Sequence, residues 1–247
     1  MSNTFFAPGR QRAARVSDLF ATIATRYDLI NDLQSLGLHR YWKRRLARLA
    51  KVKPGDRALD LCCGTGDIAF ALARSGAEVT GLDFSEPMLA VASRRLKAES
   101  SESQTSHAKF TVQFMRGDAR QIPLPDASFD IVTVGYGLRN LPSWEAGLCE
   151  MQRVAKPGGR LLILDFGKPD NWLWRWFYFG YLGLIVPVVG RIFCGDASAY
   201  AYILESLKHY PGQRGIAVQM RELGLTNMRI DNLLGGAMSI NYGERPG

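Results

Sequence analysis

The sequence predicts an α/β protein: a mostly parallel, seven-stranded sheet with helices on both faces and a helical, aromatic cap. Three observations predict it. Short apolar runs alternate with amphipathic stretches at the spacing of βαβ units. The first apolar run ends in a glycine-rich turn that opens a helix. The 247 residues, 47% apolar and 22% charged, have the balance of one large globular domain with an appended cap.

In chain order, residues 1–52 read as a basic helical cap. There WKRRLARLAK sets Leu46 and Leu49 on one side, with Lys43, Arg44, Arg45, Arg48 and Lys51 forming a face suited to anionic lipid. The core, 53–168, opens with the turn KPGD at 53–56, a strand over 58–62 and a helix over 68–74. A second strand covers 78–82, and a helix over 87–98 takes Ser85 as its N-cap. Residues 98–108 are small, polar and charged, and read as a surface insertion. Strands follow over 110–115, 129–134 and 161–165. A helix over 143–155 lies between the last two, closed by the turn KPGG at 156–159. Residues 169–210 break the rhythm with aromatic sequence and read as a hydrophobic lid. The closing segment, 211–247, supplies a helix over 213–223 and strands over 228–233 and 238–242.

Several classes are excluded. Cys62, Cys63, Cys149 and Cys194 form no CxxC pair, and His39, His107 and His209 are far apart, so neither a metal site nor a disulfide scaffold is expected. Reduced thiols fit a cytoplasmic setting. The first 15 residues lack the apolar core of a signal peptide. The greasiest run, 176–190, contains a proline and is too short to span a bilayer comfortably. A formal charge of +8 permits an anionic partner. No stacking aromatics interleave with the basic run, which argues against nucleic acid.

The run Leu59-Asp-Leu-Cys-Cys-Gly-Thr-Gly-Asp67 carries the chemistry. In an open parallel sheet a ligand binds beyond the carboxyl ends of the strands, and Gly64 and Gly66 let it approach the backbone. Asp83 ends the second strand, where an acid can accept hydrogen bonds from a ribose diol. A nicotinamide dinucleotide would share this logic. However, Asp60 before the glycines and Asp67 after them would repel a pyrophosphate, whereas they suit a sulfonium and an ammonium. S-adenosylmethionine (SAM) carries both. Asp118, at the end of the third strand with Ala119 beside it, lies where an adenine is expected.

Here the chain resembles the class I SAM-dependent methyltransferases, and within them the ubiquinone/menaquinone biosynthesis C-methyltransferases (the UbiE/MenG family). Three segments carry the resemblance, which runs over 16–242. Tyr27-Asp28-Leu-Ile-Asn31 with Ser35, His39 and Trp42 resembles an N-terminal signature. Tyr136-Gly-Leu-Arg-Asn140 looks like the substrate-side motif, and Arg153-Val-Ala-Lys-Pro-Gly-Gly159 with Asp165 and Phe166 like a second signature. The chain departs from the family pattern at Ile30, Gln34, Gly135, Ala155, Asp165 and Gly167.

The resemblance implies a Rossmann-like fold and C-methylation of a prenylated quinol, demethylmenaquinol first. The alternatives are a methoxy-benzoquinol of ubiquinone synthesis, demethylphylloquinol and, more remotely, a nucleic-acid methyltransferase. Thr65, Phe84 and Gly135 join Asp60, Gly64, Gly66, Asp67, Asp83, Asp118 and Ala119 as expected cofactor contacts. Carbon nucleophilicity requires a quinol hydroxyl, which titrates near 10 when free, to ionise, and a fixed cation favours this. Arg139 is the expected cation, too weakly acidic to serve as a simple base. Asn140 would orient the hydroxyl, with His39 and Tyr27 as proton acceptors or ring-orienting groups. The aromatic segment 172–193 fits an acceptor with a polyprenyl or phytyl tail, taken up in transient contact with the inner face of the membrane. Self-association as a homo-oligomer is compatible with the sequence.

Overall fold

The structure, a computed structural model, describes residues 27–102, 111–185, 204 and 206–247. Most of the expected insertion at 98–108 and the second half of the aromatic segment lie outside these residues. So do Cys194 and His107.

Among the described residues seven strands form one sheet: β1 (Arg57–Leu61), β2 (Glu78–Asp83), β3 (Thr111–Arg116), β4 (Phe129–Gly135), β5 (Ala155–Phe166), β6 (Thr226–Leu233) and β7 (Met238–Glu244). Their order is β3-β2-β1-β4-β5-β7-β6. All pairs are parallel except those of β7, which runs antiparallel to both β5 and β6. Chain order reverses between β1 and β4, where the crevice of such a sheet opens.

Alternation along the strands builds two cores, because successive side chains face opposite sides. Leu59, Leu61, Val132, Val134, Leu161 and Ile163 pack together against α5 (Trp144–Val154) and α7 (Gly212–Glu222). On the opposite face Ala58, Ile131, Leu162 and Leu164 meet α2 (Leu38–Leu49) and α3 (Asp67–Arg74). Ahead of α2 lies α1 (Tyr27–Ser35), and after β2 comes α4 (Glu86–Glu102). The aromatic segment forms α6 (Trp172–Gly180), capped by the Asn171 side chain, and continues as a π-turn, Tyr181–Ile185. Tyr178 and Leu182 seat it on Leu207 and Ala237.

Three local expectations change. The KPGG segment is part of β5 and not a turn before it, because the chain end lies alongside: Gly158 donates to the Arg245 carbonyl at 2.8 Å, and the Arg245 N–H returns a bond to Gly159 at 2.9 Å. Ser85 precedes α4, but its buried hydroxyl bonds no described residue; Asp83 instead accepts from the Ser85 N–H. The cationic face of α2 is not uniform, since Lys43 turns inward and is buried.

Candidate active site

The site grows from the β1–α3 connection. The chain turns sharply after Leu61 through Cys62 (φ 51°) and Gly64 (φ 54°), and enters α3 through Gly66 at φ 90°. A side chain at Gly66 would be strained there, and its Cβ would lie 2.8 Å from the Phe70 ring. The Asp83 carboxylate fastens this loop to the end of β2, accepting from the Gly64 N–H and from the Ser85 N–H, each at 2.8 Å. Burial pushes the Asp83 carboxyl upward, against these backbone bonds.

In front of the loop lies a cleft of about 880 Å³, counted out to its open mouth. Of the sequence-expected residues, Tyr27, Gly64, Asp83, Phe84, Asp118, Ala119, Gly135 and Asn140 line it. One end is framed by Asp83 and by Asp118, which binds Arg120 at 2.7 Å. Burial opposes ionisation of Asp118, but the bonds from Arg120 outweigh it and hold the carboxyl low. Arg116 stands over the exposed Phe84 ring at 5.7 Å. At Gly135 a Cβ would come within 2.4 Å of Ile68 Cδ1, so a larger residue would have to displace the end of that side chain. Cys62 also lines the cleft; burial raises its thiol far above the usual range, so it is no nucleophile at neutral pH.

The remaining expected residues stand behind that wall. Asp60 is buried under the loop, accepts from the Thr133 hydroxyl at 2.7 Å, and is pushed up to about 7 by burial. Asp67, expected beside the ligand's cations, is paired with the protein's own: Lys43 Nζ at 2.7 Å and Arg95 Nη2 at 2.8 Å. Burial alone would raise Asp67, but these two cations hold it far below the carboxylate range. Thr65 donates to Asp28 at 3.0 Å, while Arg95 reaches Asp28 at 3.2 Å and the Thr65 carbonyl at 3.0 Å. The glycine loop is thus clamped from α1, α2 and α4 at once.

His39 is buried in the cap, where its Nε2 meets Asp32 at 2.8 Å. Burial, then the nearby Lys43 charge, holds the imidazole below its usual range, so it is neutral at pH 7. Hydrogen bonds from Arg40 draw Asp32 down to about 2. Arg139 is 7% exposed; it binds Asp165 at 2.9 Å and donates to the Tyr136 carbonyl at 2.6 Å. Asn140 shares that carbonyl at 3.0 Å. The short 3-10 turn Leu138–Asn140 therefore places Asn140 on the cleft and Arg139 behind it.

Sequence reasoning missed Arg95, the place of Ser85 on the cleft and the inward turn of Lys43. No spacing rule connects residue 95 with 28 and 67, and Lys43 sits in a run of cations that reads as solvated. Among the described residues no group of three or more acids, histidines or cysteines could hold a metal.

Comparison with known proteins agrees with this architecture. A demethylmenaquinone methyltransferase of Desulfitobacterium hafniense is 40% identical over 96% of this chain and 92% of its own. The ubiquinone/menaquinone biosynthesis C-methyltransferase UbiE of Ectopseudomonas mendocina is 38% identical, covering 97% and 92%. A SAM-dependent methyltransferase structure from Thermotoga maritima, 19% identical, superposes with a TM-score of 0.61 over 92% of this chain and 99% of that one, which shows the shared fold. The profile of the ubiE/COQ5 methyltransferase family matches residues 9–245, and with these relatives it establishes that the chain belongs to that family.

Proposed function

We propose that this chain uses SAM to methylate a ring carbon of a prenylated quinol, with demethylmenaquinol as the first candidate acceptor. A methoxy-benzoquinol of ubiquinone synthesis and demethylphylloquinol are the alternatives, since the relatives' names cover both menaquinone and ubiquinone. One observation carries the reading: Asn140 and Tyr27 open onto the same cleft as Asp83 and Asp118. An acceptor-side motif thereby shares one space with two acids at strand ends.

The residues present fit SAM. Asp83 would take the ribose hydroxyls, and Asp118 with Ala119 the adenine edge. Leu82 and Met88 give apolar walls, and the Gly64 backbone closes the inner end. When bound, SAM would supply an electrophilic methyl group and leave as S-adenosylhomocysteine, while the acceptor's hydroxyl and ring protons are lost to water in the open cleft. Orientation falls to the chain. Asn140 orients the acceptor hydroxyl. Arg139, expected as the cation facing the acceptor, is instead neutralised by Asp165 behind the wall, and it braces the loop that carries Asn140 through the Tyr136 carbonyl. Tyr27 orients the ring, and His39, neutral and held by Asp32, stabilises the cap that carries Tyr27.

The acceptor's tail accounts for α6. Trp172 is 75% and Trp176 68% exposed, and Leu36 of the neighbouring cap is 88% exposed. Tyr181 on the following π-turn donates to the Gln34 carbonyl at 2.9 Å, joining lid to cap. Such an apolar surface suits transient contact with a bilayer. Among the described residues no helix is long and apolar enough to cross one.

Tritiated SAM offered with reduced demethylmenaquinone, and separately with the other quinols, tests the reading. Label in a quinol, lost in Asn140→Ala while calorimetric SAM binding persists, is expected. SAM binding without label in any quinol would sink it.

A further inference from the structure

The guanidinium of Arg95 lies outside the cleft, yet it meets groups from both of its sides. It reaches from α4 over the Phe70 ring of α3, 5.2 Å from the ring centre. A guanidinium seated on a ring keeps its N–H donors free for acceptors around its edge. Nη1 donates to the Asp28 carboxylate at 3.2 Å and to the Thr65 carbonyl at 3.0 Å, and Nη2 binds Asp67 at 2.8 Å. Asp28 belongs to α1, whereas Thr65 and Asp67 belong to the glycine loop and the start of α3.

Those two elements present different neighbours to the cleft. Gly64, beside Thr65, lines it where the cofactor is assigned, and Tyr27, beside Asp28, lines it where the acceptor is assigned. Arg95 itself lines no part of it. The two sides also differ in how else they are fastened. The glycine loop keeps the bond from the Gly64 N–H to Asp83 at 2.8 Å, and Asp67 keeps Lys43 at 2.7 Å. The later part of α1 is held to α2 by Asp32, through His39 at 2.8 Å and Arg40 at 2.6 Å. The first turn of α1 is tied through Asp28, to Arg95 and to the Thr65 hydroxyl at 3.0 Å. Removing the guanidinium therefore loosens the end of α1 that carries Tyr27 and leaves the cofactor loop in place.

We propose that Arg95 is a positioning residue for the methyl transfer: by tying Asp28 to the Thr65 carbonyl and to Asp67, it sets the acceptor side of the cleft in register with the cofactor side. This deepens the quinol reading and rests on it for the identity of the two ligands. In-line transfer is sensitive to such register, since a misplacement of about 1 Å can cost roughly 100-fold in rate. A residue that touches neither ligand can in this way carry a large part of the rate.

Amide hydrogen exchange of the free protein, read by mass spectrometry, tests the tie without any acceptor. In Arg95→Met, residues 27–35 should exchange roughly tenfold or more faster than in wild type, the loss of a charged hydrogen bond, while β4 and α5 keep their rates. Asp28→Asn breaks the same tie from its other end and leaves Asp67 both its cations, so it should loosen the same segment even where Arg95→Met folds poorly. Unchanged exchange over 27–35 in either folded variant, or an increase spread over β4 and α5 in Asp28→Asn, overturns the proposal. Methylation supplies a readout that a merely structural arginine would not give. Arg95→Met should lose roughly 10- to 100-fold in kcat/KM for the quinol, while the Kd for SAM stays within about threefold. Arg95→Lys keeps the charge but not the fork, so it should recover the Tm lost in Arg95→Met and not the rate. The double variant with Asp28→Asn should lose little more than the worse single variant. Additive losses, full rescue of the rate by lysine, or a matching loss of SAM affinity would each overturn the proposal. Faster exchange confined to α1, in a protein that methylates no quinol, would sustain the tie and refute the quinol reading. Unchanged exchange there, in a protein that does methylate one, would do the reverse.

Discussion

Lys43 and Asp67 form a buried pair whose two ends are not equivalent, and this predicts an asymmetric response to mutation. Asp67 has two cationic partners, Lys43 at 2.7 Å and Arg95 at 2.8 Å, whereas Asp67 is the ion-pair partner of Lys43 among the described residues. Lys43→Met therefore leaves a carboxylate that Arg95 still neutralises, and the expected cost is about 1–2 kcal/mol, one charged hydrogen bond less some relief of desolvation. Asp67→Asn strands an ammonium that is only 7% exposed. Breaking a buried pair in this way costs about 3–5 kcal/mol. Deprotonation sets the ceiling: taking a lysine of ordinary pKa about 10.4 to neutrality at pH 7 costs about 4.6 kcal/mol. The lysine's folded pKa is depressed in this variant, so its deficit should shrink by about 1.4 kcal/mol per unit as pH rises from 7 to 9. Urea unfolding of wild type, both single variants and the double variant at several pH values measures all of this. The double variant should recover much of the Asp67→Asn loss, with a coupling of about 2–3 kcal/mol. Equal costs for the two single variants, additivity, or a deficit insensitive to pH would refute the reasoning.

Asp60, raised to about 7, binds more protons folded than unfolded between roughly pH 4 and 7, so its contribution to stability declines as pH rises through that window and then levels. Asp60→Asn removes the titration, and its stability relative to wild type should improve by up to about 4 kcal/mol from pH 4 to 7.5; a flat difference in urea midpoints would count against the buried carboxyl. Gly135→Ala pushes a methyl group into Ile68, and overpacking of this kind should cost about 1–3 kcal/mol of stability and lower SAM affinity roughly tenfold by calorimetry. Unchanged affinity would show that β4 yields there. The pair Trp172→Gln and Trp176→Gln should weaken partitioning onto phosphatidylglycerol vesicles by roughly tenfold or more, since each buried aromatic contributes about 1.5–3 kcal/mol. Their Tm should not move, and partitioning equal to wild type would leave α6 without a membrane role.

The strand–helix alternation was legible because β1, β4 and β5 carry apolar runs and glycines or prolines punctuate the turns between elements. Strand–helix order and the acids at strand ends followed from that alone. What could not be read is which acids face the ligand. Asp60 and Asp83 both sit at strand ends, but one points beneath the loop to Thr133 and the other to its backbone N–H groups. Asp67 looked like a ligand contact because the cations that claim it come from positions 43 and 95, and such distant pairings leave no local pattern. Arg139 was recognisable as a charged residue in an acceptor motif, whereas its partner Asp165 lies on the neighbouring strand, and the sequence gives no rule for how closely the two are joined. The KPGG segment has the composition of a turn, and the pairing of Arg245 overrides it.

The antiparallel placement of β7 between β5 and β6 has a consequence for the order in which the molecule can assemble. The strands that bear the cleft, β3-β2-β1-β4, are complete in the first 135 residues, so this half can form early during synthesis. β5, by contrast, must wait with one edge unpaired until residues 238–244 have been made, nearly eighty residues later in the sequence. Arg245 then closes the seam, its guanidinium reaching the carbonyls of Gln152, Arg153 and Ala155. Until that moment the nascent chain carries a bare, apolar β5 edge of the kind that templates aggregation. β7, made well after the strand it covers, is therefore the one that makes the growing chain safe from its neighbours.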